Sequence, residues 1–192
     1  MAETIFTHTL RRFLPIVMVA TIILSIALSG CTTNQNSTNT PQETLLTITV
    51  GSQTYNYTMD DLTALGTYTG QGSYINKKGT ITGPYNYTGV TMSALLNSLP
   101  SVPANFTLHA LASDNYSVNY SISDLNGHVA LFNDTGAEMG MGNLIMLIAY
   151  EQDGVLLNET TKGPLRIAFV NSSPFLTNSG LWLSSLVRIE VI

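Results

Sequence analysis

Cysteine is almost absent from this 192-residue chain, which has one, Cys31. A single thiol excludes an internal disulfide and any cysteine-based metal cluster. Charge is scarce as well, at 10% of residues, and positive charge scarcer still, with seven Lys and Arg against twelve Asp and Glu. No basic stripe forms, so a nucleic-acid partner is excluded. The sequence also has no Gly-x-Ser-x-Gly, no P-loop and no His-Glu-x-x-His, which leaves hydrolase and nucleotide-binding readings without support. What is present is a chain 44% hydrophobic and rich in Thr, Ser, Asn and Tyr. That composition suits a mostly β domain working outside the cytoplasm.

The one long apolar run lies at the start. Arg11 and Arg12 form a positive n-region, residues 13–28 an apolar h-region, and Leu28-Ser29-Gly30-Cys31 resembles a lipobox. Residues 1–30 therefore read as a signal peptide, cleaved before Cys31, whose sulfur would become a lipid thioether. A retained transmembrane anchor is the competing reading, since the run falls only slightly short of a span. The sole cysteine standing where the motif requires it favours lipidation, which holds a protein on a membrane without crossing it. Residues 31–44 comprise that cysteine and a polar, aperiodic stretch that reads as a disordered tether. The remaining chain sets Lys77, Lys78, Lys162, Arg166 and Arg188 against eleven carboxylates, a net charge of −6.

From residue 45 the pattern becomes structured. Residues 45–50 alternate, Gly51-Ser52 turns, and residues 53–58 place Tyr55 and Tyr57 on one face of an opening hairpin. Thr58 caps a helical turn over residues 59–65, with Asp60 and Asp61 favourably near its N-terminus. Residues 66–85 read as two irregular strands or a long loop. Thr91 caps a helix with Met92, Leu95, Leu96 and Leu99 on one face. A strand over 106–112 leads into Ser113-Asp114-Asn115-Tyr116-Ser117, a turn in which Asn115 can take the left-handed conformation. A helical turn at 122–125, an apolar stretch at 129–132 and a Gly- and Met-rich loop at 136–143 follow. The centre of the chain is an apolar strand over 144–150, a turn at Asp153-Gly154, and a return strand over 165–170. Between them, Gly163 and Pro164 of Lys162-Gly163-Pro164-Leu165-Arg166 constrain the backbone path.

This ordered set resembles the sulfite-oxidase-type molybdopterin-binding domain. The motifs that carry the likeness are Tyr87-Thr88-Gly89-Val90 entering a Leu-Leu helix, the Asp114-Asn115-Tyr116 turn with Asn for the family's Gly, and Gly163-Pro164-Leu165-Arg166. Trp182 before a strand ending in Ile189-Glu190-Val191 completes them, and together they cover residues 45–192. The resemblance implies an α+β, mostly β fold with a few short helices. It also makes Asp114, Tyr116, Arg166 and Trp182 candidate cofactor-binding residues of a cleft. The family holds molybdenum through a cysteine thiolate, which should fall near Thr67-Tyr68-Thr69-Gly70, where no cysteine stands. It also neutralises the pterin's pyrophosphate with basic groups, one a Lys before the closing Trp, where this chain has Leu181. Leu10 before the Arg pair and Phe13 directly after it depart from the twin-arginine pattern used to export cofactor-loaded enzymes. No cofactor is expected; molybdopterin rests on the resemblance alone.

The remaining candidates each have a plainer reading. Arg166 either pairs with a carboxylate or carbonyl at a strand edge or faces the cleft and binds an anion. Asp114 and Tyr116 stabilise their turn, Trp182 lines core or cleft, and His109 is a strand residue. His128 with Met139 and Met141 makes a candidate soft copper(I) site, set against a simple loop packing on the core. Sequons at Asn36, Asn56, Asn86, Asn105, Asn115, Asn119, Asn133, Asn158 and Asn171 suggest an archaeal-type cell-surface glycoprotein. The expectation is a membrane-anchored, extracytoplasmic lipoprotein carrying a non-catalytic binding module for a protein or small-anion partner. A molybdopterin-dependent oxidoreductase with an atypical metal site and a structural envelope glycoprotein are the alternatives.

Overall fold

In the computed structural model, which describes residues 42–173 and 175–192, the alternation after residue 45 becomes a hairpin. Its strands are β1 (Leu46–Val50) and β2 (Gln53–Tyr57), with Leu46 and Ile48 fully buried. The signal peptide, Cys31 and Asn36 lie outside the described residues. Helix α1 (Met59–Ala64) begins where Thr58 and Asp61 form a capping box. The Asp61 N–H donates to the Thr58 hydroxyl, and the Thr58 N–H donates back to the Asp61 carboxylate at 2.9 Å. The Thr58 hydroxyl also donates to that carboxylate at 2.7 Å, and this bond first, with the Thr58 N–H second, holds the Asp61 carboxyl below its ordinary range.

Residues 66–85 hold two strands, irregular between Gly72 and Tyr74. They supply β3 (Tyr68–Ile75) and the start of β4 (Ile81–Thr91), an antiparallel pair. Thr91 then caps α2 (Met92–Asn97), whose Met92 and Leu95 are buried. Strands β5 (Leu108–Ala112) and β6 (Ser117–Tyr120) flank the expected turn, with Asn115 at φ 68°. Ser121 caps α3 (Ile122–Leu125), and β7 (His128–Phe132) follows.

Residues 136–143, expected as a loop, are mostly a strand, β8 (Glu138–Asn143), paired with β7. Glycine hides the alternation, and the Leu131 side chain lies over Gly142, where a Cβ would come 2.8 Å from its Cδ1 and make it shift. The central hairpin is β9 (Ile145–Gln152) and β11 (Arg166–Val170), antiparallel, with the short β10 (Val155–Leu156) and a 3-10 turn at Glu159–Thr161 between them. Strand β12 (Leu176–Asn178), a 3-10 turn at Ser179–Leu181 and β13 (Leu186–Val191) complete the order.

Two sheets result. The first runs β2-β1-β13-β5-β6, with β1 and β13 parallel (Thr47 opposite Arg188). The second runs β10-β9-β4-β3-β12-β7-β8, with β11 on β9. Past the end of β11, Asn171 exchanges two backbone hydrogen bonds with Gln71 of β3, at 2.8 and 3.0 Å. Strands β3, β4, β9 and β11 therefore curl into a ring. Residues 146–150 of β9 and all of β11 are buried, which explains apolar runs without alternation. The architecture is α+β and mostly β. No helix of the described residues is long and apolar enough to cross a membrane.

Candidate functional site

The site grows out of the ring of strands. Gly70 and Gly72 of β3 stand against β11, where a Cβ on Gly72 would lie 2.7 Å from the Phe169 carbonyl oxygen and 2.8 Å from the Trp182 ring. The missing side chains leave room for larger ones from the neighbours. Tyr87, opposite Gly70 on β4, packs at 5.3 Å from Trp182, and Tyr74 packs on the same indole at 4.9 Å. Tyr85 meets Tyr87 edge-on at 6.4 Å. The indole is fixed at its polar end as well. Its Nε1–H donates to Thr177 Oγ1 at 2.8 Å, and that hydroxyl donates to the Ser73 carbonyl at 3.2 Å.

Arg166 enters this aromatic group. Its Cζ lies 5.3 Å from the Tyr87 ring centroid and 5.4 Å from that of Trp182. Only 5% of the residue is exposed, and its Nε is buried without a hydrogen-bond partner. The expected partner, a carboxylate or carbonyl at a strand edge, is not what the structure provides. Among the described residues the guanidinium is held by ring faces, each such contact worth up to about 2 kcal/mol when desolvated. A π-face attracts the cation but gives Nε–H no acceptor, so part of the desolvation cost stays uncompensated.

Burial pushes the Tyr87 phenol up to about 12, against an ordinary 10.0, although the nearby Arg166 charge pulls the other way. The neutral phenol is thus favoured in the fold. Its stabilising contribution is whole below pH 10 and is lost as pH rises from there through about 12. Tyr87→Phe is expected to remove part of the alkaline loss of stability, measured as unfolding midpoint against pH. An unchanged alkaline limb would contradict that burial.

The other candidate residues sit elsewhere in the fold. Asp114 accepts the Tyr116 N–H at 3.0 Å, and the Tyr116 ring is 53% exposed, so both serve the β5–β6 turn. The Gly163-Pro164 segment and Ser113 line a hollow of about 390 Å³. Its charged lining is Glu43 and Glu159, which repels an anion. His109 is half-buried, its Nδ1 2.6 Å from Asn119 Oδ1, while His128 is exposed. Of the sequon asparagines described, Asn56, Asn86, Asn105, Asn115, Asn119 and Asn158 are exposed, and Asn133 and Asn171 half-buried. Sequence reasoning passed over Tyr74 and Thr177, and treated Tyr87 only as part of a motif. The usable signal was Tyr85 and Tyr87, alternating toward the same neighbourhood of a strand.

No protein-family model matches this sequence, and no curated protein does. A likeness exists among solved structures. The sulfane dehydrogenase SoxCD of Paracoccus pantotrophus superposes with a TM-score of 0.55 at 15% identity, over 78% of this chain and 38% of its own. The fold is of the sulfite-oxidase type. At that identity only the fold is shared, and this chain spans well under half of the neighbour it matches.

A molybdenum-bearing pterin does not fit the residues present. Gly70, in the stretch where the thiolate should fall, is buried, and a Cβ there already meets Val170 at 3.0 Å. Nearby, Thr67 Oγ1 is bonded to the Tyr150 hydroxyl at 3.0 Å. Among the described residues the positive side chain at this centre is buried against Tyr87 and Trp182.

Proposed function

We propose that this chain is a membrane-anchored, extracytoplasmic module that uses a molybdopterin-binding scaffold for non-catalytic binding. The observation that carries the reading is Arg166. The cation that would neutralise an anionic cofactor is buried beside two aromatic rings that pack on each other. The lipobox-like Leu28-Ser29-Gly30-Cys31 supports the anchor, and the exposed sequons support a glycosylated cell-surface location. Elemental analysis and pterin fluorescence on protein purified from its native membranes test the reading. We expect neither stoichiometric molybdenum or tungsten nor an oxidised-pterin signal. Finding both would overturn it in favour of an oxidoreductase with an atypical ligand. Mass spectrometry of the N-terminal peptide, expected to begin at a lipid-modified Cys31, tests the anchor.

The unpartnered Arg166 Nε favours a second reading, in which a small oxyanion or carboxylate completes the buried guanidinium. Titration with sulfate and acetate separates the two. A saturable rise in unfolding temperature that disappears in Arg166→Met supports anion binding there.

A further inference from the structure

One short pattern occurs twice, at opposite edges of the first sheet. Asn56-Tyr57-Thr58, with Asp61 three places on, spans the end of β2. Asn119-Tyr120-Ser121, with Asp124 three places on, spans the end of β6. In each copy the asparagine is exposed on the strand and the tyrosine turns inward, Tyr57 half-buried and Tyr120 buried. The hydroxyl residue then caps a short helix through a box with the aspartate, its hydroxyl 2.7 Å from the carboxylate in both. Pairing puts the two asparagines on one face of the sheet. Asn56 stands opposite Thr47, which pairs with Arg188. Asn119 stands opposite His109, which pairs with Glu190. Arg188 and Glu190 lie two apart on β13, so they share that face, and their charged ends meet at 3.6 Å.

Both edges lack the usual guards. Strand β2 has a partner only in β1, and β6 only in β5. Neither strand holds a charged residue or a proline, and both pair in unbroken register. An edge of that kind offers its free N–H and C=O groups to any other strand. The second sheet is different. Its β10 is two residues long, and β8 breaks register between Gly140 and Glu138, which sets a carboxylate opposite Phe132. That break leaves Met139 off the face shared by His128 and Met141, so the copper(I) candidate is not assembled. Where the first sheet has neither charge nor bulge, it has a sequon asparagine on each edge. The amide oxygens are engaged, Asn56 Oδ1 by the Thr47 hydroxyl at 3.1 Å and Asn119 Oδ1 by His109 Nδ1 at 2.6 Å. Neither Nδ2 makes a hydrogen bond among the described residues.

We propose that Asn56 and Asn119 are N-glycosylated, and that their glycans guard the two edges of the first sheet against pairing with other molecules. This rests on the cell-surface glycoprotein reading above. The donor is an oligosaccharide carried on a lipid phosphate. Nδ2 forms a bond to the anomeric carbon as the sugar–phosphate C–O bond breaks. The lipid phosphate leaves with the electron pair of that bond, and Nδ2 releases one proton. The sequon's third-position hydroxyl is engaged in a capping box at both Thr58 and Ser121, so transfer precedes closure of those caps. Each glycan, bulky and solubilising, then stands on the open face at its own edge, four strand spacings or roughly 19 Å from the other.

The test begins with glycopeptide mass spectrometry on the protein purified from its native membranes. It continues with size-exclusion chromatography, in detergent, of the double variant Asn56→Gln and Asn119→Gln made in the same host. We expect sugar on both asparagines. The double variant should elute as larger species than the parent, with an unchanged unfolding temperature because both positions are exposed. Asn86→Gln, on a strand flanked by β9 and β3, should leave the elution as it was. Sugar on no sequon at all would overturn the glycoprotein reading and this inference together. Sugar elsewhere, with Asn56 or Asn119 bare, would overturn the inference alone. So would a double variant that elutes like the parent, or one whose unfolding temperature falls, since its association would then follow from misfolding.

Discussion

Gly89→Ala is expected to destabilise the protein severely, lowering its unfolding midpoint far more than any surface change. Gly89 sits in β4, opposite Ala149 of β9. A Cβ there would fall on the Ile148 carbonyl oxygen, with the Ala149 Cα at 2.6 Å and the Ile148 carbonyl carbon at 2.7 Å. All three are backbone atoms in a buried strand, so no rotamer change relieves the overlap. Separating β4 from β9 is the only relief, and it would break the ring. The cost should reach at least about 3 kcal/mol, the upper part of the overpacking range, out of a total stability of about 5–15 kcal/mol. Gly154→Ala is the control. Gly154 has φ +77° but nothing within 4 Å of a Cβ, so only backbone strain of about 1–2 kcal/mol applies. Chemical denaturation of both variants checks the contrast, and similar midpoints would show that the β4–β9 approach is looser than described.

Trp182→Ala should cost about 3–5 kcal/mol, the range for deleting a large buried aromatic. The indole is 6% exposed and touches Tyr74, Tyr87 and the Arg166 guanidinium while bonding Thr177. Its removal opens a cavity and strips one face from a buried charge, so the loss should lie toward the upper end. Arg166→Met is expected to act in the opposite direction. Exchanging a buried charge for an apolar side chain of similar volume is often neutral or stabilising by about 1–4 kcal/mol, and Nε has no hydrogen bond to lose. In the double variant, Trp182→Ala should cost less than it does alone, because no cation is left uncovered. If Arg166→Met instead destabilises as strongly as Trp182→Ala, the guanidinium has an anionic partner in solution.

Local chemistry made much of this fold readable. Thr58 and Thr91 each mark the start of a short helix because a hydroxyl satisfies an N–H that the first turn leaves free. Asn115 betrays its turn through the left-handed backbone, and the central hairpin through length and apolarity. Strand β8 was hidden because Met-Gly-Met-Gly offers no apolar–polar alternation, and its pairing rests on Leu131 covering a glycine. The parallel β1–β13 pair joins residues about as far apart as the domain permits, and no local pattern encodes it. Arg166 was visible as the one charge in an apolar strand. Its surroundings were not, since a lone arginine points to a carboxylate, carbonyl or anion and the structure supplied rings from Tyr87 and Trp182.

The position of β13 bears on how the chain must reach its folded state. β13 lies in the middle of its sheet, with the β1–β2 hairpin on one side and β5–β6 on the other. A chain threaded across a membrane from its N-terminus delivers both hairpins first. Each then waits with one open edge until residues 186–191 arrive to wedge between them. Long-range closure of that kind is slow, and two waiting edges invite pairing with each other or with neighbouring molecules. On the proposed export route, this sheet is completed only after translocation. Truncations that remove residues 186–191 should accumulate as aggregates instead of as shortened, soluble domains.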